Sequence, residues 1–280
     1  MVLHGSNRVS AIMPTARLSG EIMACPVKQG GDLNPSPRIG AVLLAAGEGR
    51  RMGGITKCLI RLEGVPLITR HLIALSGAGV DDVVVVTGHA RQNVEEQVKS
   101  FPGTLTHNDF SVTLTRDDFP VTLIHNDMYA GGQQGSVRVG LAALTGSFAA
   151  VLILLADQPL IGADDLIQLI KAFQKRPSGN VLVPIVNSLR GNPVVIDDSA
   201  RSQILSSEPN FGCRQFIDRH PALVQRFETR NLSYVTDLDT LDDVKQLAQR
   251  TGWRLELPPA TSTAPSMRVP HSRSKKRHLL

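Results

Sequence analysis

Cysteine is scarce in this chain: Cys25, Cys58 and Cys213 are the only three in 280 residues. They form no CxxC pair and no Cys/His cluster at metal-ligand spacing, which excludes a disulfide framework and a structural zinc site and fits a reducing cytoplasm. Aromatic residues make up 4%, with one Trp and two Tyr, so a base-stacking platform for nucleic acid is not expected. Long apolar runs are missing too. The best, at 149–156, is far shorter than a bilayer span, and no membrane association is expected. The first 25 residues are punctuated by Arg8, Arg17, Glu21 and several Ser and Pro, unlike a secretory leader. A cytoplasmic location is the expectation.

A dispersed charge excess is also lacking. The formal charge of +5 is carried by residues 257–280, where Arg268, Arg273, Lys275, Lys276 and Arg277 occur without an acid. The rest of the chain is formally neutral. This segment reads as a solvated, disordered basic tail, and residues 1–38, polar and aperiodic, as a disordered extension.

What is present between these ends is a regular alternation. Apolar runs at 41–47, 83–88, 121–124, 150–157, 180–186 and 193–196 read as strands. Amphipathic stretches at 66–78, 91–100, 134–144, 163–174 and 241–250 read as helices. Strands that are apolar on both faces, most of them followed by a helix, predict an α/β fold: a three-layer, Rossmann-like, mainly parallel sheet, here over 39–252. A nine-residue repeat interrupts the pattern: TLTHNDFS at 104, TLTRDDFP at 113 and TLIHNDMY at 122. It is too short for a solenoid unit, so residues 104–121 read as a repeat-derived insertion and the third copy as the fold's own strand.

The first strand ends at Ala45 and runs into a loop with Gly47, Gly49, Gly53 and Gly54, together with Arg50, Arg51 and Lys57. Glycines let backbone N–H groups approach an anion, and the cations offset polyphosphate charge. The loop is neither a Walker A sequence nor the GxGxxG dinucleotide pattern, and a plain glycine-rich connection remains the alternative. At the end of the most apolar strand stands Asp157, where open α/β sheets hold ligands. Beside a polyphosphate it is a candidate Mg²⁺ ligand; as a cap for the helix starting near Ala163 it lies too far upstream.

LLAAGEGRRMGG, Lys57 and EGVPLI resemble the MobA-like nucleotidyltransferases, especially their molybdenum cofactor cytidylyltransferase branch. LIHNDMYAGGQQGSVRVGLAAL, LLADQPLI, RGNPVVI, NFGCRQFI and VTDLDTLDDV follow in the family's order. The resemblance implies a fold of the nucleotide-diphospho-sugar transferase type. It also implies that Ala45, Ala46, Gly47, Glu48, Gly49, Arg50, Arg51 and Lys57 wrap a nucleoside triphosphate, with Ser136 and Arg138 nearby. Arg51, Lys57 and Asp157 are then the catalytic candidates, and Asp157 with Asp237 or Asp239 the Mg²⁺ ligands.

Family members of this branch often have Ser in place of Gly49 and His in place of Asn192, two departures. Ala45-Ala46-Gly47 matches cytidylyl- and uridylyltransferases, so the implied substrates are CTP and a molybdopterin-type cofactor. The product would be molybdopterin cytosine dinucleotide, and a molybdenum hydroxylase or its chaperone the implied partner. The alternatives are a guanylyltransferase, transfer to another small phosphorylated molecule, or a delivery chaperone without transfer activity.

Overall fold

The computed structural model describes residues 37–101, 104–107, 110–113 and 119–259. The terminal extensions expected over 1–38 and 257–280 lie almost entirely outside these residues. The strands in chain order are β1 Ile39–Ala45, β2 Arg61–Leu62, β3 Val65–Pro66, β4 Asp82–Thr87, β5 Thr104–His107, β6 Phe110–Thr113, β7 Val121–His125 and β8 Ala150–Leu155. They continue with β9 Val181–Val186, β10 Leu189–Arg190, β11 Val194–Ile196, β12 Val224–Thr229 and β13 Leu255–Glu256. The helices are α1 Leu67–Gly77, α2 Arg91–Lys99, α3 Gln133–Ala143, α4 Ala163–Gln174, α5 Asp198–Ser206, α6 Cys213–Arg219 and α7 Leu241–Thr251.

The main sheet is mixed but mostly parallel, with strand order β10-β9-β11-β8-β1-β4-β7 and β12 paired to β9. Successive side chains of β1 point to opposite faces, as the period of two requires. Ala41, Leu43 and Ala45 pack in one apolar layer with residues of α1, α2 and α4. Val42 and Leu44 pack in the other with α3, α5 and α6. Complete burial of a side chain such as Leu43 is worth about 1.5–3 kcal/mol, so these two layers carry the three-layer fold.

Two features depart from the sequence expectation. β11 runs antiparallel to both β8 and β9, and α5, α6 and β12 add a segment absent from the predicted set. β5 and β6 pair with each other as a separate two-stranded sheet, while β7, from the third repeat copy, pairs with β4 in the main sheet.

A third apolar cluster positions the chemistry. Met52 and Ile55 of the glycine loop, Leu62 and Leu67, Leu238 of the DLDT block and Leu247 of α7 are buried together. They bind the loop after β1 to the segment before α7.

Beneath this region His71 of α1 is buried, and neither ring nitrogen has a hydrogen-bond partner of normal geometry among the described residues. Burial, helped by the charge of Arg70, pushes its pKa from 6.5 down to about 4. Between these values the unfolded chain binds the proton and the folded chain does not, so stability falls as pH drops through that window. The shift corresponds to about 3 kcal/mol. Urea titrations at pH 7 and pH 4.5 should show this loss, and His71→Leu should remove most of it. An unchanged pH dependence in that variant would refute the assignment.

Candidate active site

The chain leaves β1, crosses to β4 and β7, and returns on the other side of β1 as β8. The carboxyl ends of β1 and β8 therefore flank a topological switch point, where open sheets leave a crevice. A cleft of about 430 Å³ lies there, a size suited to a small ligand.

Ala45, Ala46, Gly47, Glu48, Gly49, Arg50, Arg51 and Lys57 line it from the β1 side, Asp157 from the β8 side and Asp239 from the DLDT block. The loop takes its shape from Gly49, whose φ is 59° and whose carbonyl accepts the N–H groups of Met52 and Gly54 at 2.8 and 3.1 Å. A Cβ at that position would stand 1.9 Å from the carbonyl oxygen of Ile55. The departure from Ser at this position thus fits this backbone, which has no room for a side chain.

Lys57 is the centre of the charged set. Its Nζ donates to Asp157 Oδ2 at 3.1 Å and to Asp239 Oδ1 at 2.5 Å. Burial works against its charge, but Asp157 and Asp239 outweigh it and raise the Lys57 pKa. The Lys57 hydrogen bond in turn holds Asp239 below the usual carboxylate range. Arg51 Nη1 donates to the other oxygen of Asp239 at 2.5 Å, and Arg50 pairs with Glu48. Both arginines are exposed, free to turn to a ligand.

One ammonium touches both carboxylates, so one cation position serves both. Their oxygens are the hard donors that Mg²⁺ or Mn²⁺ takes, usually one or two carboxylates completed by phosphate and water. Among the described residues no set of three or more metal-ligating side chains gathers. The two carboxylates that meet at Lys57 fit a divalent ion whose other positions phosphate and water would fill.

Asp237 does not line the cleft; partial desolvation and the like charges of Asp157 and Asp239 raise its pKa. Leu238 is buried between the two Asp residues, and only Asp239 contacts Lys57. Asp157 does not cap α4, whose first turn is closed by Gly162 and Asp165.

The opposite wall is uncharged. Tyr129, Ala130, Gly132, Gln133 and Ser136 line it, contributed by the turn before α3 and that helix's first turn. Ser136 is buried and accepts from Asn126 Nδ2 at 2.9 Å, which ties the helix to the end of β7. Arg138 departs from expectation: two positions beyond Ser136 on a helix, it faces the opposite side. Its guanidinium donates to the carbonyls of Ile204 and Leu205 in α5, away from the cleft lining. Tyr129, Ala130, Gly132 and Gln133 were not singled out from sequence, although Gly131-Gly132 before a helix signals close backbone approach. Cys58 also lines the cleft, but burial and Asp157 push its thiol up to about 12, so it is no nucleophile.

Residues 41–224 match the MobA-like NTP transferase domain. The chain belongs to this family. It is 27% identical over 224 residues to a nicotine blue oxidoreductase of Paenarthrobacter nicotinovorans, covering 75% of this chain and 97% of that protein. It is 31% identical over 171 residues to a bifunctional IspD/IspF enzyme of Clavibacter michiganensis subsp. michiganensis. That match covers 60% of this chain but only 38% of the larger enzyme's length. The manganese complex of Rv0371c from Mycobacterium tuberculosis H37Rv shares the fold, with TM-score 0.54, 20% identity and coverage of 76% of this chain and 98% of that one.

Proposed function

We propose that this MobA-like protein transfers CMP from CTP to a molybdopterin-type molybdenum cofactor, releasing pyrophosphate. The observation that carries the reading is the Lys57 ammonium held by Asp157 and Asp239 beside a glycine loop bearing Arg50 and Arg51. It joins triphosphate-binding cations to a divalent-ion carboxylate pair.

The reaction needs no covalent intermediate on the protein. A phosphate oxygen of the acceptor forms a bond to the α-phosphorus, and the bond from that phosphorus to the bridging oxygen of the β-phosphate breaks. Pyrophosphate takes the electron pair. The acceptor phosphate is already largely ionised near neutral pH, so no general base is required. Lys57 and Arg51 position the phosphates and offset the charge gathering on the leaving group. A Mg²⁺ on Asp157 and Asp239 would add further charge neutralisation.

CTP rests on Ala46. A Cβ at Gly88 would stand 2.6 Å from Tyr129 Cβ and 2.8 Å from Ala46 Cβ, so the Ala46 methyl and the Tyr129 stem converge beside the cleft. A methyl there narrows the space for a purine. Pyrophosphate release should be measured with each nucleoside triphosphate, with and without molybdenum cofactor. CTP should exceed GTP by about tenfold or more, and Ala46→Gly should narrow that gap, since one methyl is worth about 1–3 kcal/mol. A wild-type preference for GTP would overturn the base assignment. Cofactor binding without turnover would favour a delivery chaperone.

A further inference from the structure

The two carboxylates belong to segments far apart in sequence, so something must set their separation. Tyr234 is fully buried, its hydroxyl donating to the Asp165 carbonyl at 3.0 Å and its ring edge-on to Phe227 at 6.2 Å. Its own carbonyl oxygen accepts two hydrogen bonds. The N–H of Asn192 reaches it at 2.8 Å, and Nε2 of Gln158 at 3.1 Å. Next to these, the Leu238 N–H donates to the Asp157 carbonyl at 3.0 Å. Three sequence blocks thus meet at one place: Asp157-Gln158, Gly191-Asn192, and the segment from Tyr234 to Asp239.

Gln158 has no evident reason of stability to be there. It is only 2% exposed, and its Oε1 is buried without a partner among the described residues. A buried unpaired acceptor is unfavourable, and an apolar side chain of like length would avoid it. The Tyr234 carbonyl would keep its bond from Asn192 in any case.

We infer that Gln158 is a positioning residue: its amide, anchored on the Tyr234 carbonyl, sets the separation of Asp157 and Asp239 at which the pair accepts a divalent ion. Asp157 precedes Gln158 directly; Asp239 lies five residues beyond Tyr234 and follows Leu238, whose N–H ties it back to the Asp157 carbonyl. Gly191 leaves room for this arrangement. A Cβ at Gly191 would lie 2.5 Å from the same Tyr234 oxygen and push that segment away.

The inference rests on the proposed nucleotide transfer, and its test separates the two. Mn²⁺ is titrated, with detection by electron paramagnetic resonance, into the full chain saturated with an α,β-methylene analogue of CTP, and in parallel of GTP. Gln158→Met should bind Mn²⁺ about tenfold more weakly than the parent, in the range found when residues behind metal ligands are replaced. Its melting temperature should be unchanged or raised. The Mg²⁺ concentration for half-maximal pyrophosphate release should rise by the same factor, with kcat at saturating Mg²⁺ largely retained. A purely structural role predicts the reverse, lower stability with unaltered metal affinity.

Gly191→Ala, acting on the same carbonyl from the other side, should also weaken Mn²⁺ binding and serves if Gln158→Met does not fold. Parent-like Mn²⁺ affinity in either folded variant overturns the inference alone. A parent that binds no Mn²⁺ with either analogue overturns the functional reading, and the inference with it.

Discussion

Asp157→Asn should lower nucleotide transfer by about 10²–10³-fold, the loss typical when one preorganised charge-stabilising group is removed. Asparagine keeps the shape and removes the charge, so the effect isolates electrostatics from packing. The fold should survive, because the Asp157 carbonyl still accepts from Leu238 N–H and Lys57 keeps Asp239 as a partner. Asp157 is partly exposed, which limits the stability loss to about 1 kcal/mol. Pyrophosphate release and thermal unfolding of the same preparation give the two readings. Turnover within a few-fold of the parent would remove Asp157 from the site.

Lys57→Met should be as damaging to turnover, about 10²–10³-fold, with a different accompaniment. In the parent the Lys57 ammonium stands where a divalent ion would meet both carboxylates. Without it Asp157 loses its ammonium partner and Asp239 keeps only Arg51, and the variant should bind Mn²⁺ more tightly than the parent when no nucleotide is present. The pH dependence of stability should change as well. The raised Lys57 pKa contributes stability that is complete below 10.5 and lost as pH rises through the higher folded value. The depressed Asp239 pKa contributes stability present above 3.8 and lost as pH falls through the lower folded value. In the variant the Lys57 contribution should vanish and the Asp239 contribution shrink to what Arg51 supplies, at a cost of about 1 kcal/mol at neutral pH because solvent screens the partly exposed Asp239. Denaturant titrations across pH and Mn²⁺ titrations without nucleotide check the two claims. Parent-like turnover would show that Lys57 does not contact the phosphates.

Much of the fold was legible because the central strands are apolar without interruption and the helices are not. Ala163–Gln174 shows this best: its bounds were read from sequence and recur in α4. The direction of β11 was not legible. Val194, Val195 and Ile196 are all buried, and a strand covered on both faces carries no pattern that tells parallel from antiparallel. β12 escaped because Arg226 and Glu228 interrupt its apolar positions, and α6 because it is short. In the cleft lining, the residues of the glycine loop and of the strand end were legible, and most of the uncharged wall was not. Asp157, Lys57 and Arg51, named from sequence, line the cleft together with Tyr129 and Gln133, which carry no charge to mark them. Arg138 misled because a sequence block records neighbours along the chain, whereas a helix turns each residue by its own angle. That Lys57 bonds Asp239 rather than Asp237 is a matter of separate segments meeting in space, which no local sequence pattern records.

The place of β1 in the sheet bears on how the chain is made. Gly40 pairs with Asp82 on one side and with Val151 on the other, and both pairings are parallel. Parallel neighbours cannot be joined by a tight hairpin, so β1 waits for each of them through a crossover. A growing chain can bring β4 against β1 and β7 against β4 while still on the ribosome, yet the second edge of β1 stays open until residues 150–155 have been synthesised and have cleared the exit tunnel. That edge carries Val42, Leu43 and Leu44 and a full row of unsatisfied backbone groups, a template on which other nascent chains can pair. Chains released prematurely before Ala150 should therefore aggregate, and the vulnerable interval of synthesis closes only when β8 arrives.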